Sequence, residues 1–195
     1  MKKLPIEVLD NYNKFELKKL KKYIKDYIVP LDINKIKYQI LTNEELTEFY
    51  EENYYINYKF VEWYNNGYYN PLGMHFLSIN LPRDMKVFML TIPNKINRET
   101  IIGSIIYSDN FKTSLEEQIF LIDTIEINYF YRNKGLLDIM YNEFIKSNNI
   151  NKDIILTCLS QMGHTCHVDK HLSKMLKKNN IDKNVILYDE YKYIK

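Results

Sequence analysis

The sequence predicts an α+β protein of three layers: a mixed, mostly antiparallel central sheet with helices on both faces, and an extra helix at the N-terminus. Three observations predict it. Apolar residues change from helical to strand-like spacing near residue 86. Three strand-like runs then follow one another across short breaks, as in an antiparallel meander. After them the order is helix, strand, helix, strand, which calls for crossover helices on the sheet faces.

The elements follow in order. "KFELKKLKKYIKDYIVP" carries Leu17, Leu20, Ile24, Tyr27 and Ile28 at helical spacing with lysines opposite, and Pro30 closes it. It reads either as a basic helix for a membrane surface or an acidic partner, or as an extra helix docked on the domain, the second being preferred. Residues 1–34 are accordingly a helical extension, and 35–195 the main domain. "IKYQIL" is a strand. Thr42, with Glu45 three residues on, forms a capping-box pattern at the start of a helix. "YKFVEWYNNG" is a second short helix ending at Gly67, and 68–84 is loop with a strand at "HFLSI". "KVFMLTIP" and "TIIGSIIYS" make a hairpin, "EEQIFLIDTIEIN" a long strand, and 134–147 a helix. "DIILTCLS" is a strand, "HVDKHLSKMLKK" a helix and "NVILYDEYKYI" a last strand.

Composition bounds the function. The chain has 195 residues, 46% hydrophobic and 27% charged, enough for one domain with a core. Net charge is +2, so no strong field for nucleic acid exists and no nucleic-acid partner is expected. Tyr, Ile, Asn and Lys are abundant throughout, so a single one of them is no signal. The two cysteines, Cys158 and Cys166, form no CxxC pair or zinc-finger set, and are expected as free thiols. The N-terminus has no apolar core of a signal peptide, and no run approaches the ~18 apolar residues of a membrane span. A cytoplasmic protein with no membrane partner is expected; a homodimer is left open.

The chemistry concentrates in "IDTIEINYFYRNKGLL". Gly135 is one of only five glycines, and it opens an amphipathic helix three residues after Arg132. The first turn of a helix has N–H groups without intrahelical partners, and aligned peptide dipoles place roughly half a positive charge there. Such a turn binds phosphate, and a glycine lets the backbone approach closely. The bland alternative is an ordinary strand–helix turn. This stretch, in the place it holds in the element order, resembles the GNAT superfamily of acyl-CoA-dependent N-acetyltransferases. Their pattern is Val-x-Pro-x-Tyr-Arg-x-x-Gly-x-Gly/Ala after the fourth strand. Here Ile127 stands for the valine and Tyr129 for the proline; Tyr131, Arg132 and Gly135 match; Leu137 replaces the second small residue. The resemblance covers about residues 36–194. In "MLKKNNI", Leu176 stands where many members carry the tyrosine that protonates the leaving thiolate.

The resemblance implies acetyl-CoA, or another acyl-CoA, as donor, and no metal. Arg132, Asn133, Lys134, Gly135, Leu136 and Leu137 would hold the pyrophosphate, mainly through main-chain N–H groups. The backbone at Ile125 and Ile127 would pair with the pantetheine arm and polarise the thioester carbonyl, and "DIILTCLS" would wall the other side. Ser160 and Gly163 are loop contacts to the cofactor. An attacking amine must lose a proton, and Asp123 and Glu126 are the acidic candidates. Their odd separation predicts opposite faces of a regular strand, so one at most would face the acceptor. His164, Cys166, His167 and His171 lie close together in the sequence and read as a metal site, a Cys/His pair or incidental histidines; Cys166 or His167 is placed to assist the thiolate, and His167 is the candidate. The region holding Glu44, Glu45, Glu48, Glu51 and Glu52, with Tyr50, Tyr54, Tyr55, Tyr58 and Trp63, suits a cationic amine, small molecule or peptide; it also reads as a solvated face over a Tyr-rich core. Three functions follow: an N-acetyltransferase, moving a group other than aminoacyl; a non-catalytic acyl-CoA-binding module, which the missing tyrosine keeps open; or an interaction protein whose basic N-terminal helix engages a partner.

Overall fold

The computed structural model describes residues 14–53, 84–113, 117–157 and 168–187. In chain order these form α1 (Lys14–Tyr27), β1 (Lys37–Leu41), α2 (Asn43–Asn53), β2 (Lys86–Pro93), β3 (Glu99–Lys112), β4 (Gln118–Ile127), α3 (Leu136–Ser147), β5 (Ile154–Leu156), α4 (Val168–Lys178) and β6 (Val185–Leu187). The expected helix over 58–67, the strand at "HFLSI" and the cluster from Cys158 to His167 lie outside the described residues.

The six strands form one sheet in sequence order. Strands β1 to β4 pair antiparallel, while β4–β5 and β5–β6 pair parallel. The connections explain the change: a parallel neighbour needs a crossover long enough to hold a helix, and α3 and α4 supply it. This is the mixed, mostly antiparallel sheet that the sequence predicts.

Each face has its own core. On one, α1, α3 and α4 cover Phe88, Ile105, Tyr107, Phe120 and Ile122. Phe144 of α3 drives its edge into three rings, at 5.0 Å from Tyr107, 5.5 Å from Phe88 and 6.0 Å from Phe120. Edge-to-face pairs of this kind add about 0.5–1.5 kcal/mol each beyond the area they bury. On the other face, Leu46 and Phe49 of α2 pack over Val87, Met89, Ile106 and Leu121. The capping box forms as expected: the Thr42 N–H donates to Glu45 Oε2 at 2.8 Å, and the Glu45 N–H reaches Thr42 Oγ1 at 3.4 Å. The Thr42 backbone and hydroxyl together hold the Glu45 carboxyl below the usual range.

The N-terminal helix is docked rather than free. Ile24 and Tyr27 are buried, whereas Lys18, Lys21, Lys22 and Lys25 face solvent. A helix end leaves carbonyls without intrahelical donors, and at α1 the β2–β3 turn supplies them. Lys95 Nζ donates to Lys25 O at 3.0 Å, the Lys95 N–H to Asp26 O at 3.2 Å, and Thr100 Oγ1 to Tyr27 O at 2.8 Å. No described helix is long and apolar enough to cross a membrane.

Candidate functional site

The site begins where the β4–β5 ladder ends. Its described pairs are Phe120↔Ile154, Leu121↔Ile155 and Ile122↔Leu156. Thr157 then closes it: its N–H donates to Ile122 O at 3.0 Å and its Oγ1 to Asp123 Oδ1 at 2.8 Å. Thr124 Oγ1 holds the other carboxylate oxygen of Asp123 at 3.0 Å. Past this point β4 still pairs with β3, through Thr124, Ile125, Glu126 and Ile127.

Asp123 is the extra residue of a β-bulge. On β3 the neighbours Ile106 and Tyr107 pair with Thr124 and Ile122, which leaves Asp123 with no opposite number. The bulge overturns the expectation that Asp123 and Glu126 lie on opposite faces. Ile122 belongs to the core under α3, but Thr124 pairs with Ile106 and Glu126 with Ser104, whose β2 partners Val87 and Met89 lie under α2. Asp123, joined to Thr124 and Thr157 by their hydroxyls, shares that second face. Both carboxylates therefore lie on the α2 side, where the exposed Glu44, Glu45, Glu48, Glu51 and Glu52 also stand.

The bulge also shifts the backbone. The Asn128 N–H donates to Ile102 O on β3 at 3.0 Å. Alternation then turns the main-chain groups of Glu126 and Thr124 to β3, and those of Ile125 and Ile127 away from it, toward the β5 side, where the described ladder reaches only Ile122↔Leu156. The Ile127 carbonyl accepts from Arg132 Nε at 2.9 Å. The Ile125 N–H and C=O and the Ile127 N–H face that side.

Beyond β4 the chain makes a 3₁₀ turn, Tyr129–Tyr131, capped by Asn128 Oδ1, which accepts from the Phe130 N–H at 3.1 Å. Asn133 and Gly135 both take positive φ, 63° and 73°. Gly135 thus answers a conformational demand as well as the expected close approach. A Cβ there would meet nothing within 4 Å, so it is the positive φ and not crowding at this atom that favours glycine. The first intrahelical bond, from the Ile139 N–H to Gly135 O, is 3.5 Å long. Leu136 is buried and Leu137 half-buried against the core, so these two side chains anchor the helix and only their N–H groups can serve a ligand. Arg132 is half-buried and committed to Ile127, with its guanidinium over the Tyr129 ring at 5.9 Å; Lys134 is exposed and contributes charge at the rim.

Sequence reasoning missed two groups. Thr157 could be found only once the ladder was known. Asp138, in the first turn of α3, lies 2.5 Å from His171 Nε2 of α4, so His171 has a carboxylate partner. Among the described residues no group of three or more His, Cys, Asp or Glu is placed to hold a metal ion. Leu176, at the place of the missing tyrosine, is fully buried in the core. Ser160, Gly163 and His167, with Tyr54, Tyr55, Tyr58 and Trp63, lie outside the described residues.

Strand order and the glycine turn agree with the resemblance drawn from the motif. The fold is GNAT-like. No family model matches the chain, and no curated protein matches it in sequence. Among solved structures it is similar to an aminoglycoside acetyltransferase, meta-AAC0020, from an uncultured soil metagenomic sample, in complex with trehalose: 12% identity over 72% of this chain and 88% of that one, TM-score 0.43. It is similar also to a ribosomal-protein-alanine N-acetyltransferase from Brucella melitensis biovar Abortus 2308, with 11% identity over 78% and 79% and TM-score 0.33. A third is AtaTR bound with AcCoA, at 9% identity over 72% and 84% and TM-score 0.39. Likeness this distant carries no argument about substrate or activity.

Proposed function

We propose that this protein is an acyl-CoA-dependent N-acyltransferase, with acetyl-CoA the simplest donor and a cationic amine the acceptor. The observation that supports the reading best is a continuity. The side of β4 beyond the described β4–β5 ladder, with the main-chain groups of Ile125 and Ile127, leads directly into the Arg132–Gly135 turn and the N-terminus of α3, which no side chain caps. An extended thioester arm ending in a pyrophosphate fits that succession: strand-like pairing first, then an anion site.

In this reading the amine nitrogen attacks the thioester carbonyl carbon, and the carbon–sulfur bond breaks. The electron pair leaves on sulfur as CoA thiolate. Main-chain N–H of Ile125 or Ile127 stabilises the oxyanion as it forms. Glu126, on the open half of β4, takes the amine proton, directly or through water. Asp123, held by two threonine hydroxyls, positions that half of the strand. The exposed glutamates of α2 share the face of Glu126 and favour a positively charged acceptor.

Binding of CoA and acetyl-CoA, followed by calorimetry, tests the donor; thiol release across a panel of amines tests the reaction. Gly135→Trp should weaken CoA binding by at least about 100-fold, because its ring fills the approach to the helix N-terminus, with the fold retained by circular dichroism. Unchanged affinity would remove the cradle from the account. One observation favours a second reading, a non-catalytic acyl-CoA-binding module: the place of the thiolate-protonating tyrosine is filled by the core residue Leu176. CoA binding without thiol release from any amine would select it.

A further inference from the structure

Tyr131 is fully buried, yet its hydroxyl is fully used, and by a single distant residue. It accepts from the Val29 N–H at 3.2 Å and donates to the Val29 carbonyl at 3.0 Å. Burial pushes its pKa up to about 12, with the Val29 bond a smaller opposing influence. Val29 lies just beyond α1, the N-terminal helix, and is separated from Tyr131 by 102 residues of chain. Tyr131 itself ends the 3₁₀ turn from which the cradle springs, four residues before Gly135. The ring also carries the cradle's outer rim, since the Lys134 ammonium lies over it at 5.2 Å. One side chain thus touches the N-terminal segment with its hydroxyl and the phosphate-binding turn with its ring.

Nothing in the chemistry of acyl transfer requires that link. The extension could dock through Ile24 and Tyr27 alone, and its helix end is already satisfied by Lys95 and Thr100. The turn, in contrast, holds two residues of positive φ, Asn133 and Gly135, and a glycine there is free to take other conformations. Asn128 and the Arg132–Ile127 bond brace this turn from within its own segment, and the doubly bonded hydroxyl of Tyr131 ties it to the N-terminal segment.

We propose that the N-terminal segment is a working part of the cofactor site: Tyr131 clamps Val29 to the cradle, so that docking of α1 and binding of CoA are coupled. This rests on the acyl-CoA reading above. Tyr131 is a positioning residue; it touches neither cofactor nor acceptor. Coupling is reciprocal. Whatever lifts α1 away, a partner or proteolysis near Pro30, lowers CoA affinity, and CoA in turn tightens the docking of α1.

The test uses the full chain well below its melting temperature. Tyr131→Phe keeps the ring and removes both bonds to Val29. Thr100→Val removes a different tie to the same segment, at Tyr27, without touching the turn. The expected result for Tyr131→Phe is a rise in CoA Kd, and in KM for acyl-CoA, of about 5- to 20-fold, at the lower end of usual couplings, with kcat unchanged. Thr100→Val should lower the melting temperature but leave Kd as in the wild type. In the wild type, CoA should slow hydrogen exchange at the Val29 amide by the same factor, because that N–H is held by the clamp. Wild-type affinity in Tyr131→Phe, equal losses in both variants, or a Val29 amide indifferent to CoA would each overturn the clamp while the acyl-CoA reading stands. A wild-type protein that does not bind CoA would overturn both.

Discussion

Two halves of β4 differ more than two neighbouring strands usually do. From Ile119 to Ile122 every residue is buried, and the strand is paired on both sides; from Asp123 to Ile127 every residue is half-buried, and the described pairing is with β3 alone. Composition does not explain this, since isoleucines populate both halves. One extra residue does. The bulge at Asp123 changes which backbone groups face β5, and Thr157 ends the ladder at that same point. The strand therefore keeps the core in one half and places two half-buried carboxylates, Asp123 and Glu126, in the other. Stability and chemistry are divided along a single strand, with Asp123 as the divider.

The division is broken most forcefully by attacking the closed half. Phe144 packs on Tyr107 and Phe120 and is fully buried, so Phe144→Ala should cost about 3–5 kcal/mol, read by urea denaturation. If the halves are separate, the fraction that remains folded binds CoA with wild-type affinity; parallel loss of stability and affinity would show them to be one unit. Glu126→Gln addresses the open half. A general base contributes typically about 10²–10⁴-fold, so thiol release should fall by at least about 100-fold, with stability within about 0.5 kcal/mol of wild type. Asp123→Asn should do the reverse and lower stability more than turnover; if it instead abolishes turnover with the fold intact, the roles of the two carboxylates exchange.

The same divide separates what the sequence could and could not reveal. The described helices and strands were readable because each is local: helical spacing in α1, the Thr42–Glu45 box, alternation and β-branching in β2 to β4. Gly135 was readable because a glycine opening a helix after a long strand has few explanations. The bulge was not. It arises from a pairing register between β3 and β4, and nothing in "LIDTIEI" marks one residue as extra; parity reasoning therefore put Asp123 and Glu126 on opposite faces when they share one. Thr157 and Asp138 were missed for the same reason, since their partners, Asp123 and His171, are each more than 30 residues away in the chain. Tyr131 was matched to a motif position, but its bond to Val29 depends on where the extension docks.

A gentler change probes the divider itself. Thr157→Val keeps the shape and the main-chain bond to Ile122 but removes the hydroxyl that holds Asp123. A single bond to a charged group is worth about 1.5–3 kcal/mol when buried, and Asp123 is only half-buried, so a loss of about 1 kcal/mol is expected. The informative readout is turnover. If Asp123 fixes the open half through this bond, kcat should fall several-fold with KM for acyl-CoA little changed. A loss of stability alone would make Thr157 a strand end and nothing more.

The smallest effect at neutral pH is the most selective at high pH. Tyr107 lies in the closed half's core, opposite Ile122 and stacked on Phe120 at 5.6 Å. Burial first, then the nearby Asp109, push its pKa up to about 12, with the Asn148 side chain opposing. Tyr131 is raised to about 12 as well. Below pH 10 folded and unfolded chains both keep these protons, and stability does not depend on them. Between about pH 10 and 12 the unfolded chain releases them while the folded chain holds them, so stability must fall as pH rises. Tyr107→Phe and Tyr131→Phe should each flatten that fall in melting temperature. Only Tyr131→Phe should also weaken CoA binding at pH 7, because only Tyr131 reaches across to the cradle; a Tyr107→Phe protein with equally weakened binding would mean that the closed half shapes the cradle too, and that the bulge divides less than its position suggests.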